Sequence, residues 1–259
     1  MKKKVEKFVV STLTVLAIAS GILISDVCVT KAYANDAKFI AGGDFMNDNP
    51  QTAEEQYQEM LSNPDYSSEV CQKFYNKVFL SNNTRSSRSI TMKVLGVPYC
   101  EQETDYYCGP ATAKQTVTYL TGSAESQSDI WQDIKDDDVE ATNGTKLRNY
   151  INSKQNENIY SLKNPSSASQ MSEDIFYDLN LGIPVILWVK VTEGGNWLYT
   201  TSGGHFMNAS GINTGGSLIE VTDPYIGWID GHNYVAGKYW ITSQEAYSAT
   251  KARDIGYYW

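Results

Sequence analysis

The segment Cys108-Gly109-Pro110-Ala111-Thr112-Ala113 most narrows what this chain can fold into. Proline has its φ pre-set near the helical value and no N–H to lose, so it suits the first turn of a helix and not the interior. The small residues after it lead into a helical run from Ala111 to Leu120. The Cys108 thiol therefore stands at a helix N-terminus. There the positive end of the helix dipole favours thiolate, the nucleophilic form, over thiol. Six residues upstream, Gln102 carries an amide able to donate a hydrogen bond to an oxyanion.

A thiolate nucleophile needs a base, and the base needs an orienting group. The chain has two histidines. His205 opens the apolar run His205-Phe206-Met207-Asn208-Ala209 after the flexible Ser202-Gly203-Gly204, whereas His232 lies in Asp230-Gly231-His232-Asn233, an exposed turn. Bases sit best at the ends of rigid strands, so His205 is the preferred base. Asp223 closes the next predicted strand, directly before Pro224. A hairpin turning at Asn213–Gly216 brings His205 and Asp223 to the same sheet edge. The expected bond is from His205 Nδ1–H to the Asp223 carboxylate, which fixes the tautomer and stabilises the imidazolium. Asn208 and Asn213 are weaker orienting candidates, one mid-strand and one at the far turn. Each residue also has a purely structural alternative: Cys108 as a small buried hydrophobe, Gln102 as surface decoration, Asp223 as the cap of a turn. Two separated histidines and scattered thiols give no metal-ligand spacing, and no metal or other cofactor is expected.

The N-terminus reads as a targeting segment. Met1-Lys2-Lys3-Lys4 with Lys7 is a basic region, Phe8–Ile24 is apolar, and Ala32-Tyr33-Ala34 is a small-x-small cleavage site. Residues 1–34 are accordingly predicted to be a signal peptide, with an uncleaved anchor as the alternative. The expected location is outside the cell, with no stable membrane insertion after cleavage. The whole chain carries a formal net charge of −9, and removing the leader's five lysines and two acids leaves −12. Such a charge argues against nucleic acid or anionic lipid as the main partner, since both need a basic footprint. Three cysteines then remain, Cys71, Cys100 and Cys108, an odd number that leaves at least one thiol. Cys71 and Cys100 either pair or stay reduced.

Residues 35–89 are polar and carry two predicted helices, about Thr52–Leu61 and Ser68–Leu80, followed by the linker Ser81–Ser89. A domain boundary falls in that linker. From Ile90 to Trp259 the chain reads as one domain. Thr91–Val97 is a predicted strand, and helices are expected at Ser128–Ile134, Lys146–Lys154 and about Ser169–Leu181. Gly182–Val189 is the strongest strand, continuous enough in apolar residues to be central, with Pro184 tolerated near its start. His205–Ile212 and Ser217–Thr222 form the hairpin, and Tyr239–Ile241 with Ile255–Trp259 complete the sheet.

Val97-Pro98-Tyr99 with Gln102, then Tyr107-Cys108-Gly109-Pro110-Ala111, resembles the opening motif of the C39-like peptidases of the papain-like clan. Gly203-Gly204-His205-Phe206 resembles that family's histidine block and Val221-Thr222-Asp223-Pro224 its aspartate block. The resemblance covers residues 90–259 and leaves 35–89 outside it. It implies an α+β, papain-like cysteine peptidase fold, in which a helical lobe carries the thiol and an antiparallel β-sheet carries His205 and Asp223. It further implies that Gln102 and the Cys108 backbone N–H form the oxyanion hole, and that the partner is a peptide or protein substrate. The best-known members of the family are fused to transporters and cut leader peptides after double glycine. This chain has a signal-like N-terminus and no ATPase segment, so its substrate is not theirs by default. The 35–89 extension is then a candidate pro-segment, or else a packing element or a contact to the cell surface.

The same Cys-His-Asp order also fits a transglutaminase-like cross-linker or a cell-wall amide hydrolase. A catalytically silent surface module is the remaining reading, since eighteen tyrosines and six tryptophans could line a sugar or peptide groove.

Overall fold

The computed structural model describes residues 51–63, 66–80, 90–192, 194–201, 203–225 and 237–259. The predicted signal peptide, the 81–89 linker and His232 lie outside them. No helix of the described residues is long and apolar enough to cross a membrane.

A strand with water on one face alternates apolar and polar residues, and one covered on both faces does not. Strand β3, Val185–Val189, is buried at every position, and its side chains divide by parity. Val185, Leu187 and Val189 face one core with Met171, Ile175, Leu179, Ala246 and Ala249. Ile186 and Trp188 face a second core with Ala113, Val117, Ile130, Ile134, Leu147 and Ile151. The sheet therefore lies between two helical layers, which is why this segment reads as central from its composition alone.

Among the described residues, seven strands make one sheet: β1 Lys93–Val94, β2 Leu162–Lys163, β3, β4 His205–Ile212, β5 Leu218–Thr222, β6 Lys238–Thr242 and β7 Tyr257–Tyr258. The order is β2-β7-β3-β4-β5-β6, with β1 added to β4, and every pairing is antiparallel. Seven α-helices among the described residues accompany it. α1 (Ala53–Ser62) and α2 (Ser68–Tyr75) belong to the extension; α3 (Cys108–Thr121), α4 (Gln127–Ile134) and α5 (Gly144–Lys154) form one layer; α6 (Ala168–Asn180) and α7 (Ser243–Arg253) form the other. This is the α+β, papain-like arrangement, with Cys108 on the helical side and His205 and Asp223 on the antiparallel sheet.

The differences from the sequence reading are local. α2 does not run to Leu80 as a regular helix, since residues Asn76–Leu80 adopt a π-helical turn. α6 begins at Ala168, one residue before the expected start, with Ser167 as its cap. β1 has two residues instead of seven. α7 went unpredicted although Thr242 and Glu245 form a reciprocal capping box there.

The extension lies on the domain of residues 90–259. Gln56 Nε2 donates to Tyr160 O at 3.0 Å, and Lys77 Nζ reaches Asn158 Oδ1 at 2.9 Å and Asp178 Oδ2 at 3.3 Å. Met60, Cys71 and Phe74 form its own small core, against which Ile159 packs. No disulfide joins Cys71, Cys100 and Cys108; Cys71 Sγ lies 3.6 Å from Met60 O, and Cys100 Sγ accepts from Gln127 Nε2 at 3.4 Å.

Candidate active site

Helix α3 begins at Cys108 itself, and Pro110 occupies its third position. The first N–H groups of a helix have no intrahelical acceptor, so the chain direction here aims backbone donors at the space beside the thiol. Gly109 permits a close approach at this point. A Cβ on it would stand 2.2 Å from Thr142 Oγ1, so any larger residue must move either Thr142 or the first turn of α3.

Two hydrogen-bonded links fasten α3 to the strand that carries His205. Thr112 Oγ1 donates to Phe206 O at 3.0 Å. Thr116 Oγ1 donates to Asn208 Oδ1 at 2.8 Å, and Asn208 Nδ2 donates to Gln115 Oε1 at 3.0 Å. Thr112, Gln115 and Thr116 are fully buried. Their i, i+3, i+4 spacing is a polar stripe on a buried helix face, a signal present in the sequence and not used in reading it. Asn208 is thus part of the bolt between the two layers. Asn213 caps the β4–β5 turn, accepting from Leu218 N at 2.7 Å.

His205 is the first residue of β4 and Asp223 directly follows β5, and neither is exposed. His205 Nε2 lies 2.9 Å from Asp223 Oδ1. The expectation named Nδ1 for this bond, and the structure corrects it. The distal ring nitrogen spans the gap to the neighbouring strand. Nδ1 is buried and has no hydrogen-bond partner among the described residues, and the Cys108 sulfur acts on the same imidazole.

Asp223 collects four donors. Tyr199 Oη at 2.5 Å and Tyr239 Oη at 2.9 Å both donate to Oδ2, while Oδ1 receives the Tyr225 N–H at 3.0 Å as well as His205. Burial alone would push its carboxyl up, but the His205 charge and these hydrogen bonds hold it below the usual carboxylate range. Burial likewise opposes charge on His205. The neighbouring Asp223 carboxylate and the Cys108 sulfur outweigh it and raise the imidazole to about 10. The Tyr199 ring stands edge-on to His205 with centroids 5.7 Å apart. Nothing in the sequence marked Tyr199 or Tyr239, because both depend on where a loop and an edge strand arrive.

Gln102 is buried, its backbone N–H donates to Pro224 O at 3.0 Å, and one of its amide N–H groups goes to Thr104 O at 2.9 Å. The residue therefore sits beside the Asp223-Pro224 corner. Cys108, His205 and Asp223 are coupled directly, and Gln102 joins them through the backbone.

A search of curated proteins finds no match. Among solved structures, a crystal structure of a candidate C39-like peptidase from Bacillus anthracis aligns with a TM-score of 0.46 at 11% identity, over 65% of this chain and 96% of that one. The model of the Peptidase_C39 like family matches residues 94–254, from β1 through α7 and across the Cys108, His205 and Asp223 positions, and the chain belongs to that family.

Proposed function

We propose that the protein is an exported cysteine peptidase that hydrolyses peptide bonds through Cys108, His205 and Asp223. The observation that carries this reading is the fully buried His205 imidazole, bonded to Asp223 through Nε2 and acted on by the Cys108 thiol at a helix N-terminus. A buried imidazole with a carboxylate behind it stays charged, and beside the Cys108 thiol it is the acid–base partner that a thiol nucleophile needs.

Cys108 Sγ attacks the substrate carbonyl carbon, and a C–S bond forms as the carbonyl oxygen becomes an oxyanion. The Gln102 amide and the Cys108 backbone N–H donate to that oxygen. His205 passes its proton to the leaving amine, the C–N bond breaks and a thioester remains. His205 then takes a proton from water, whose hydroxide attacks the thioester. Collapse breaks the C–S bond and frees the Cys108 sulfur, His205 keeps the proton it took from water, and the acid product gives its own proton to solvent.

The test is Cys108→Ala against the wild type, with a peptide library and an electrophilic thiol probe. Cleavage and labelling lost together, in a protein that melts normally, support the reading. Full activity in Cys108→Ala overturns it. Incorporation of an added amine in place of hydrolysis would assign the same site to acyl transfer. Export follows from residues 1–34, and N-terminal sequencing of protein recovered from medium checks it, with Asn35 expected first.

A further inference from the structure

The segment Cys100–Glu103, which carries Gln102, belongs to no helix or strand. A backbone without ladder partners wanders unless other groups tie it down. Here four consecutive residues are tied. Gln115 Nε2 on α3 donates to Cys100 O at 2.9 Å, and Gln102 N donates to Pro224 O at 3.0 Å. Between and beyond these, one side chain grips twice. Gln127 Nε2 donates to Glu101 O at 2.6 Å, and Gln127 Oε1 accepts from Glu103 N at 3.1 Å. Gln127 is buried, at the first position of α4. Its single planar amide therefore brackets Gln102 from both sides, satisfying a carbonyl before it and an N–H after it.

We propose that Gln127 is a positioning residue for the oxyanion donor Gln102. The proposal rests on the peptidase reading above. An oxyanion donor works only where the developing charge will sit, and misplacement by about 1 Å costs on the order of 10²-fold. The grip on Glu101 and Glu103 fixes the Cα of Gln102 in both directions along the chain. Tertiary hydrogen bonds supply the rigidity that a helix or strand would otherwise provide.

The experiment is a double-mutant cycle of Gln127→Met with Gln102→Ala, read by peptide hydrolysis, affinity for a peptide aldehyde and the rate of Cys108 alkylation by iodoacetamide. The aldehyde forms a tetrahedral adduct whose oxygen occupies the oxyanion position, whereas alkylation needs only the thiolate. Gln127→Met is expected to lower kcat roughly 10- to 100-fold with KM little changed, to weaken the aldehyde by a similar factor, and to leave alkylation unaltered. In the Gln102→Ala background the same substitution should have almost no further effect. Should Gln127→Met not fold, Gln127→Glu keeps the acceptor for Glu103 N–H, removes the donor to Glu101 O and serves in the same cycle. Additive losses in the two backgrounds, or an unchanged aldehyde affinity, would overturn the proposal while leaving the peptidase reading intact. A wild type that neither cleaves peptides nor binds the aldehyde would end both.

Discussion

Thr116 on the thiol-bearing helix and Asn208 on the histidine-bearing strand share a 2.8 Å hydrogen bond in which neither residue is exposed. The two layers of the molecule meet here, and Cys108 and His205 lie on opposite sides of that seam. Asn208→Leu is similar in size but strands the Gln115 side-chain carbonyl oxygen, while the Thr116 hydroxyl keeps only its bond to Thr112 O. Each buried group left unsatisfied costs about 1–3 kcal/mol. The variant is expected to melt several degrees lower. Well below its Tm it should also lose peptidase activity, because the Cys108–His205 alignment depends on the seam. Calorimetry and a peptide assay check this. Wild-type values in both would show that Thr112 and packing hold the layers unaided.

Legibility in the sequence followed the range of the interaction. Cys108-Gly109-Pro110 was readable because a helix start is a local matter, and β3 because burial on both faces imprints itself on five consecutive residues. Helix α7 was overlooked because it buries small and polar residues, Ala246, Ala249 and Thr250, instead of an apolar stripe. β2 and β7 have two residues each and too little pattern to notice. The proximity of His205 and Asp223 follows from hairpin arithmetic, but the choice of ring nitrogen does not. It depends on the reach of a side chain across strands, and the expectation was wrong about it. Tyr199, Tyr239 and Gln127 meet the site through long-range contacts that leave no mark on their neighbours in the chain.

Tyr199→Phe removes one oxygen and one of the four donors on Asp223. A carboxylate that loses a hydrogen bond to its charged form becomes easier to protonate, so the Asp223 pKa rises. The acid edge of kcat/KM is expected to move upward, and activity at neutral pH to fall several-fold. Tyr239→Phe, with a longer bond to the same oxygen, should act in the same direction and less strongly. A pH–rate profile of each variant measures this. An acid edge that stays put in Tyr199→Phe would mean that the remaining donors hold the charge alone.

The His205–Asp223 pair predicts how stability varies with pH. The imidazole is raised to about 10 in the folded protein, against about 6.5 for an unperturbed histidine. Its contribution is therefore complete below about 6.5 and is lost as pH climbs through about 10. Asp223, held below its ordinary value, contributes above about 3.9 and loses that contribution as pH falls further. Asp223→Asn removes the charge and leaves the burial, so the His205 value should drop steeply. NMR titration of the imidazole and urea unfolding between about pH 3 and about pH 11 test both statements. An imidazole titrating near 6.5 in the wild type would contradict them.

Lys77 couples the extension to the domain of residues 90–259 at a point where three groups converge. Its ammonium lies 3.3 Å from Asp178 Oδ2 and 2.9 Å from Asn158 Oδ1, and 5.0 Å from the centre of the Trp259 ring. Lys163 stands 4.1 Å from the centre of the same ring and ion-pairs with Asp174 at 2.8 Å. Lys77 and Asp178 are largely buried, and breaking a buried pair from one side costs up to about 3–5 kcal/mol. Lys77→Met is therefore expected to lower the Tm markedly. The contacts of the extension described above fall on Asn158, Ile159, Tyr160 and Asp178 of α6, so kcat/KM should stay near the wild-type value. Clipping at Arg85 or Arg88 should leave α1 and α2 bound, because Gln56, Lys77 and the Met60 core hold them without the linker. Gel filtration after limited digestion, with the peptide assay run on the same fractions, tests this. Release of the extension with a rise in rate would instead make residues 35–89 a pro-segment whose departure opens the site.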